Sequence, residues 1–300
     1  MNVVSPSDIA GKRVLITGAS GFTGRYVSER LVSAGCEVVT LTNAVAGGAV
    51  NLLDRTTLRE AVQRARPDLV VHLAAISFVA HGDADEIYRV NVVGTRNLLE
   101  ALAGLSAGPS HVLLVSSANV YGNVGGTLTE TSPFSPQNDY AVSKMAMEAM
   151  AALWKGRLPL TIVRPFNYTG VGQSERFLIP KIVSHFQRRA PVIELGNIDV
   201  SRDFYDVRCV ADLYAGLLAR PAIGDIYNIC SGTEWSLQQV INVLRDLSGH
   251  DIDVRVNPDF VRDNEVKSLR GSNEKLESVL GGVPAFEFSS TLGWMYGAHA

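Results

Sequence analysis

Three cysteines in 300 residues leave little room for sulfur chemistry. Cys36, Cys209 and Cys230 are odd in number and far apart, with neither CxxC nor Cys/His ligand spacing. They read as reduced thiols of a cytosolic protein, not as a disulfide frame. The six histidines form no HxxxH or HExxH pattern, so no metal site is expected. Long basic runs are missing as well: none exceeds a pair such as Arg188-Arg189, and the net charge is −3. Nucleic acid is therefore not an expected partner, although a pocket for a small anion is compatible with this balance. No apolar run approaches the roughly 20 residues of a membrane span, and Met1 to Pro6 lacks a basic region leading into an apolar core. A cytoplasmic protein is expected.

What is present is ordinary in kind and ample in amount. With 46% apolar and 19% charged residues, the chain can bury a full core as one large or two modest domains. Short β-branched runs and longer helical patterns alternate up to residue 165. Strands are expected at Arg13–Ile16, Glu37–Leu41, Asp68–Leu73, His111–Val115 and Leu160–Val163, each nearly continuous in apolar residues, as in a sheet covered on both faces. Between them the pattern predicts helices at Phe22–Ala34, Arg55–Ala65, Ile87–Leu105 and Tyr140–Trp154. Such alternation implies an α/β fold with a doubly wound parallel sheet. After Pro165 the order loosens: helical stretches at Phe177–Arg188, Val207–Ala219, Leu237–Leu247 and Asn273–Val279 alternate with short strands such as Ile226–Ile229.

Gly18-Ala19-Ser20-Gly21-Phe22-Thr23-Gly24 follows the first strand and opens the first helix. In that setting Gly18 permits a tight turn, Gly21 lets the backbone approach a pyrophosphate, and Gly24 allows close helix–strand packing, while the helix N-terminus points N–H groups at phosphates. The spacing is GxxGxxG, not GxGxxG, so its weight comes from the strand–turn–helix context. Residues 1–165 are thus expected to form a Rossmann-like dinucleotide-binding domain to which 204–229 returns, with 166–203 and 230–300 as a smaller, interleaved substrate lid. An NAD-preferring site places an acid about 20 residues on. Here the region reads Thr40-Leu41-Thr42-Asn43, without a carboxylate. Arg25 could fold back toward a 2′-phosphate or stand as a solvated helix residue. NADP is favoured over NAD, and both stay open.

Tyr140 and Lys144 are four residues apart on a helical pattern and so share one face, and Ser117 lies just past the preceding strand. A free phenol titrates near pH 10; lowering that by about three units takes roughly 4 kcal/mol, which a neighbouring ammonium can supply. A phenol so tuned exchanges a proton with a carbonyl or alcohol oxygen that a serine hydroxyl holds.

Taken together, the glycine turn, Ser117, Tyr140 and Lys144 resemble an extended short-chain dehydrogenase/reductase of the NAD-dependent epimerase/dehydratase family acting on nucleotide sugars. The resemblance spans nearly the whole chain. His72-Leu73-Ala74-Ala75 and Asn91-Val92-Val93-Gly94-Thr95 match the family's third strand and following helix, and Ser116-Ser117-Ala118-Asn119-Val120-Tyr121-Gly122 its serine segment. The resemblance implies cofactor contacts from Ser20, Phe22, Thr23, Leu73, Ala74, Ala75, Asn91, Val115 and Pro165. It also implies contacts at adenine from Asn51 and Leu52, where relatives carry Asp in place of Asn51. Ser117, Tyr140 and Lys144 are the implied catalytic group. Arg164-Pro165-Phe166-Asn167 and Arg202-Asp203-Phe204 match segments lining cofactor and diphosphate. Arg202 and Arg270 are implied to grip the diphosphate, and Ser77, Asn119, Asn167 and Lys181 to face the substrate.

Within that family the resemblance also sorts reactions. Dehydratases carry an acid where this chain has Asn119, and epimerising reductases carry a cysteine there and a histidine in the segment reading Phe177-Leu178-Ile179-Pro180. Both devices are missing, which leaves a plain 4-ketoreductase. The runs Gly196–Phe204, Tyr227–Gly232 and Arg270–Ser272 narrow this to the branch that reduces a GDP-linked 4-keto-6-deoxyhexose for bacterial surface polysaccharide. A nucleotide-sugar 4-epimerase retaining NAD is the alternative, and a non-catalytic NADP-binding sensor a second one from another class. The helices at Ile87–Leu105 and Tyr140–Trp154 could pair across a two-fold axis into a homodimer, or be buried within a monomer.

Overall fold

The computed structural model describes residues 6–41, 50–77, 82–222, 224–260, 267–284 and 287–298. In chain order, β1 (Arg13–Thr17) leads through α1 (Phe22–Ser33) to β2 (Glu37–Thr40), α2 (Arg55–Ala65) and β3 (Leu69–His72). Then come α3 (Ala84–Tyr88), a π-helical turn (Arg89–Gly94), α4 (Thr95–Ala103), β4 (His111–Val115), a 3-10 turn (Ala118–Tyr121) and β5 (Gly126–Leu128). α5 (Asp139–Ala152), β6 (Leu160–Pro165), β7 (Asn167–Thr169), α6 (Leu178–Gln187), β8 (Val192–Leu195) and β9 (Ser201–Asp206) follow. The chain continues through α7 (Val207–Leu218), β10 (Ile226–Ile229), β11 (Glu234–Ser236), α8 (Leu237–Ser248) and β12 (Asp253–Val256), then β13 (Ser268–Gly271), α9 (Glu274–Leu280) and α10 (Phe288–Gly297).

Six strands form one parallel sheet in the order β10-β6-β4-β3-β1-β2. β3, β4 and β6 are buried along their whole length, which is why their sequences are nearly unbroken in apolar residues. One core lies under α1 and α7, around Val27, Leu31, Val210 and Tyr214, and the other under α2, α4 and α5, around Leu58, Leu98, Leu102 and Met147. The doubly wound α/β sheet is thus as expected. β1 has β2 on one side and β3 on the other, so the crevice beyond their carboxyl ends is the switch point where such sheets take ligands.

Side-chain caps fix where helices begin. Asp54 accepts from Thr56 and Thr57 N–H at α2, Asn138 accepts from Ala141 N–H at α5, and Ser236 with Gln239 closes a capping box at α8. Asn138 thereby sets Tyr140 in the first turn of α5. The single helix expected at Ile87–Leu105 is instead interrupted by the π-helical turn. Asn91 explains it: its side chain binds both the N–H and the carbonyl of Ile76 and the Ser143 hydroxyl, while the Thr95 hydroxyl donates to the Asn91 carbonyl. These lateral bonds satisfy groups that the widened turn displaces.

The remaining strands build the second unit. β9 is central in the order β11-β9-β13-β5, with β7 also paired to β9 and β8 to β12. α6, α8 and α10 close over a third core containing Phe186, Leu244 and Leu292. β5 lies within the span expected to be wholly dinucleotide-binding, yet it pairs with β13 and ties the two halves together. Among the described residues no helix is long and apolar enough to cross a membrane, and no group of three His, Cys, Asp or Glu is arranged to hold a metal ion.

Candidate active site

Gly18 takes φ +75, and a Cβ there would stand 2.8 Å from the Ala74 nitrogen, so β1 and β3 approach at the switch point only because the residue is glycine. A Cβ at Gly24 would meet the Gly18 carbonyl oxygen at 2.2 Å. At Gly21 the nearest contact is the same oxygen at 3.2 Å, and the residue faces outward. Gly21 is the N-cap of α1, no side chain caps that end, and no acid stands in its first turn. Its free N–H groups and the helix dipole suit an anion. This cradle fits the pyrophosphate of a dinucleotide.

Other expected cofactor residues gather around it. Ser20 is exposed, Leu73, Ala74 and Ala75 are half-buried beyond β3, and Pro165 is buried at the end of β6. Leu52 is buried against Gly94, and the Asn51 side-chain oxygen accepts from Leu53 N–H in a local turn. Asn91 is spent on Ile76 and Ser143, a positioning task and not a cofactor contact. Two residues are held by the lid instead. Arg25 donates to the Gly172 carbonyl at 3.2 Å, away from the end of β2, and the Thr23 hydroxyl bonds the Tyr168 hydroxyl at 2.7 Å. Phe22 stacks on the Tyr168 ring at 6.2 Å. Of the segment Thr40-Leu41-Thr42-Asn43, the last two lie outside the described residues.

Ser117, Tyr140 and Lys144 are brought together from β4's end and α5, and all three are buried. Ser117 is hydrogen-bonded to Tyr140, and its oxygen accepts from Asn119 N–H at 3.1 Å. Lys144 Nζ donates to the Val115 carbonyl at 2.8 Å and lies 6.0 Å from the Tyr140 ring centroid. Burial pushes the Tyr140 phenol up to about 12, against the opposing Ser117 bond. The lowered phenol expected from the sequence is not found, because desolvation dominates and the ammonium is drawn to Val115. Burial likewise pushes Lys144 down to about 8, against the raising influence of Glu148.

Behind this group lies a polar network that the sequence reading missed. Arg164, expected along the cofactor, is 2% exposed and pairs in bidentate fashion with Glu148, its Nη2 at 2.6 Å. It also donates to the Tyr121 hydroxyl, which donates to Asn228. Glu148 stands one further turn along from Lys144, a spacing that could have pointed to it.

On the substrate side, Ser77 and Asn119 are exposed at the rim, and Asn167 reaches the Asp203 carbonyl at 3.4 Å. Buried Asp203 accepts from Ser231, Gly232 and Gly271 and so holds β9 and β13 to the loop after β10. The register pairs Arg202 with Leu269 and Arg270 with Thr127, whose hydroxyl accepts from Arg270 at 2.7 Å. Because neighbours on a strand alternate faces, the two arginine side chains leave the sheet on opposite faces and do not form the common grip expected of them. Lys181 donates to the Glu194 carbonyl at 2.8 Å and covers the Phe260 ring, inside the lid. A separate surface hollow of about 390 Å³ around Arg13, Glu60 and Arg66 opens at the other end of β1, far from these groups.

The family model described as "NAD dependent epimerase/dehydratase family" matches residues 14–230. The chain is 33% identical over 270 residues to GDP-6-deoxy-D-talose 4-dehydrogenase of Aggregatibacter actinomycetemcomitans, covering 90% of this chain and 91% of that one. It is 33% identical over 294 residues to GDP-6-deoxy-D-mannose reductase of Pseudomonas aeruginosa, covering 94% and 95%. A Burkholderia cenocepacia J2315 crystal structure, provisionally named an epimerase, superposes with a TM-score of 0.89 at 49% identity, over 96% of this chain and 97% of that one. The RMD structure from Pseudomonas aeruginosa complexed with NADPH gives 0.85 at 32%, over 95% and 96%.

Proposed function

The chain belongs to the NAD-dependent epimerase/dehydratase family, and from that premise we propose that it is a nucleotide-sugar 4-ketoreductase. Its substrate is a nucleotide-linked 4-keto-6-deoxyhexose, GDP-4-keto-6-deoxy-D-mannose before others, reduced to GDP-D-rhamnose. The observation that carries this reading is the meeting of Ser117, Tyr140 and Lys144 beside the uncapped glycine turn, with Asn119 and exposed Phe177 where elimination or ring epimerisation would need acid/base groups.

A nicotinamide cofactor held by the turn of Gly18, Gly21 and Gly24 would supply the hydride for C4. The protein supplies the proton: Tyr140, kept neutral well above pH 7 by burial, is in the form that can donate to the C4 oxygen as charge develops there. Ser117 holds the carbonyl oxygen. Lys144 stays largely cationic at pH 7 and stabilises the negative charge left on Tyr140. Arg202 takes the diphosphate, for which a guanidinium fork suits charge and geometry. NADP is preferred over NAD, a preference supported by the lack of an acid after β2 and by a relative complexed with NADPH, and no longer by Arg25. The protein works in the cytoplasm as a homodimer.

A 4-epimerase is the second reading, favoured by the name given to the Burkholderia structure and by a UDP-glucose 4-epimerase of Streptomyces lividans at 30% identity. The test supplies GDP-4-keto-6-deoxy-D-mannose with NADPH and NADH in turn, follows absorbance at the reduced-nicotinamide band, and identifies the product by NMR. Stoichiometric NADPH loss and GDP-D-rhamnose are expected. An axial C4 hydroxyl would place the chain with the talose-forming relative. Interconversion of C4 epimers without net NADPH consumption would make it an epimerase, and binding without oxidation a sensor.

A further inference from the structure

A cavity of about 170 Å³ lies at the amino end of the parallel sheet, the end opposite Ser117 and Tyr140. Neighbouring strands floor it, with His111 opening β4, Thr161 in β6 and Tyr227 in β10. Leu217 of α7 and Val279 of α9 add apolar walls, and Arg220 enters just after α7. Arg220 and Val279 are half-buried and the adjoining Pro221 is exposed, so the space is reachable from solvent. Apolar cavities of about 150 Å³ take a molecule the size of benzene. Most polar groups around this one are already spent. His111 donates from Nδ1 to the Arg220 carbonyl at 3.0 Å, and its Nε2 is bonded to the Thr161 hydroxyl at 2.8 Å. Arg220 N–H in turn donates to the Leu217 carbonyl at 3.0 Å, which fixes the backbone from which its side chain leaves. Yet Arg220 Nε is buried with no hydrogen-bond partner among the described residues. No acid lines the cavity, and Asp225, two residues before Tyr227, is taken by Lys275 and by Ile226 N–H. A guanidinium donor withdrawn from water without an acceptor is costly.

We propose that this cavity is a second binding site, for a small carboxylate with an apolar, ring-sized body whose oxygen accepts from Arg220 Nε. The carboxylate supplies both the missing acceptor and the missing counter-charge in one charge-assisted bond. Leu217, Val279 and the Tyr227 ring cover the apolar body. A phosphate fits less well, because its several oxygens would find His111 and Thr161 already bonded to protein partners. A neutral hydrocarbon would fill the space and leave Nε unpaired. The site lies outside the cofactor turn and the Tyr140 group, and its assignment does not depend on theirs.

The test titrates the full-length protein with benzoate by calorimetry, with and without NADPH, and uses benzamide as the neutral molecule of the same shape. Arg220→Met keeps the length of the side chain and removes the donor, and Val279→Phe fills the cavity. Benzoate should saturate the protein below about 10 mM, equally with and without NADPH. It should bind at least about tenfold more tightly than benzamide, the difference one charge-assisted hydrogen bond makes. Arg220→Met should weaken benzoate by at least about tenfold, with a melting temperature no lower than that of the wild type because an unsatisfied donor has been removed. Val279→Phe should abolish benzoate binding. Lack of saturable benzoate binding, displacement by NADPH, or benzamide binding as tightly as benzoate overturns the proposal on the wild-type protein alone. Unchanged benzoate affinity in either folded variant does so too. In each of these cases the reductase reading stands.

Discussion

Glu148 accepts a 2.5 Å hydrogen bond from Ser116, the residue directly before Ser117, and lies one helical turn beyond Lys144. One carboxylate thus anchors the serine strand end and the lysine helix together, with Arg164 balancing its charge. Glu148→Gln leaves the Arg164 guanidinium buried without a counter-charge, at an expected cost of about 3–5 kcal/mol in denaturant unfolding. It also removes the group that raises the Lys144 pKa, so Lys144 loses its proton at a lower pH than about 8. The alkaline limb of the turnover profile should move down in pH. An unmoved limb in a folded variant would detach Glu148 from the chemistry.

Tyr140→Phe removes the donated proton and little else, since the ring is buried by the same neighbours. Turnover with the keto sugar should fall by at least about 10²-fold. The NADPH dissociation constant should stay within a factor of about two. Near-normal turnover would sink the mechanism.

The two later glycines of the turn separate folding from binding. A methyl at Gly24 would sit 2.2 Å from the Gly18 carbonyl oxygen and 2.6 Å from Ala19 Cα, both backbone atoms that cannot step aside singly. Gly24→Ala should therefore lower thermal stability as well as cofactor affinity. A methyl at Gly21 meets only one atom at 3.2 Å and otherwise points outward. Gly21→Ala should keep the melting temperature within a few degrees while weakening NADPH by tenfold or more. Equal behaviour of the two variants in both assays would show that the turn does not face the pyrophosphate.

Much of this was legible in the chain, because the parallel sheet writes itself as unbroken apolar runs and the glycine turn is local. The proximity of Tyr140 to Lys144 was legible for the same reason: the two share a helix face whatever surrounds them. Long-range partners were not. Arg164 reads as a cofactor-side residue by its neighbours Pro165 and Asn167, yet strand alternation turns it underneath to Glu148. Arg25 reads from the sequence equally as a 2′-phosphate contact or as a solvated helix residue, and its partner Gly172 lies 147 positions away. The π-helical turn was hidden because it depends on Ile76 and Ser143, not on its own helical pattern. The direction of the Tyr140 shift was missed because burial, which sequence spacing does not express, outweighs the lowering influence of Ser117.

The divergence of Arg202 and Arg270 gives a sharp contrast. If Arg202 holds the diphosphate, Arg202→Ala should raise KM for the sugar nucleotide by tenfold or more, in line with the loss of a charge-assisted hydrogen bond. Arg270, committed to Thr127 on the other face, should change KM by less than about threefold when replaced by alanine. An unchanged KM in Arg202→Ala would end the diphosphate assignment.

Two buried histidines set the acid limit of the fold. His72 lies between Thr17 and Thr95, and because the Thr95 hydroxyl donates to Asn91, His72 carries its proton on Nε2 and accepts from Thr17 at Nδ1. His111 donates from Nδ1 to the Arg220 carbonyl and accepts from the Thr161 hydroxyl. Burial pushes His72 down to about 3 and His111 down to about 4. Below pH 6.5 the unfolded chain takes up a proton at each ring that the folded chain refuses, so falling pH favours unfolding until the folded values are reached. At pH 5 each ring should have cost roughly 2 kcal/mol relative to neutral pH. His111→Gln keeps a donor and an acceptor in place but cannot titrate. Between pH 6 and 4.5 its unfolding free energy should fall less steeply than that of the wild type, by about 1.1 kcal/mol per pH unit. Parallel slopes in denaturant titrations across that range would mean that His111 titrates alike in the folded and unfolded chains, against its burial between Thr161 and the Arg220 carbonyl.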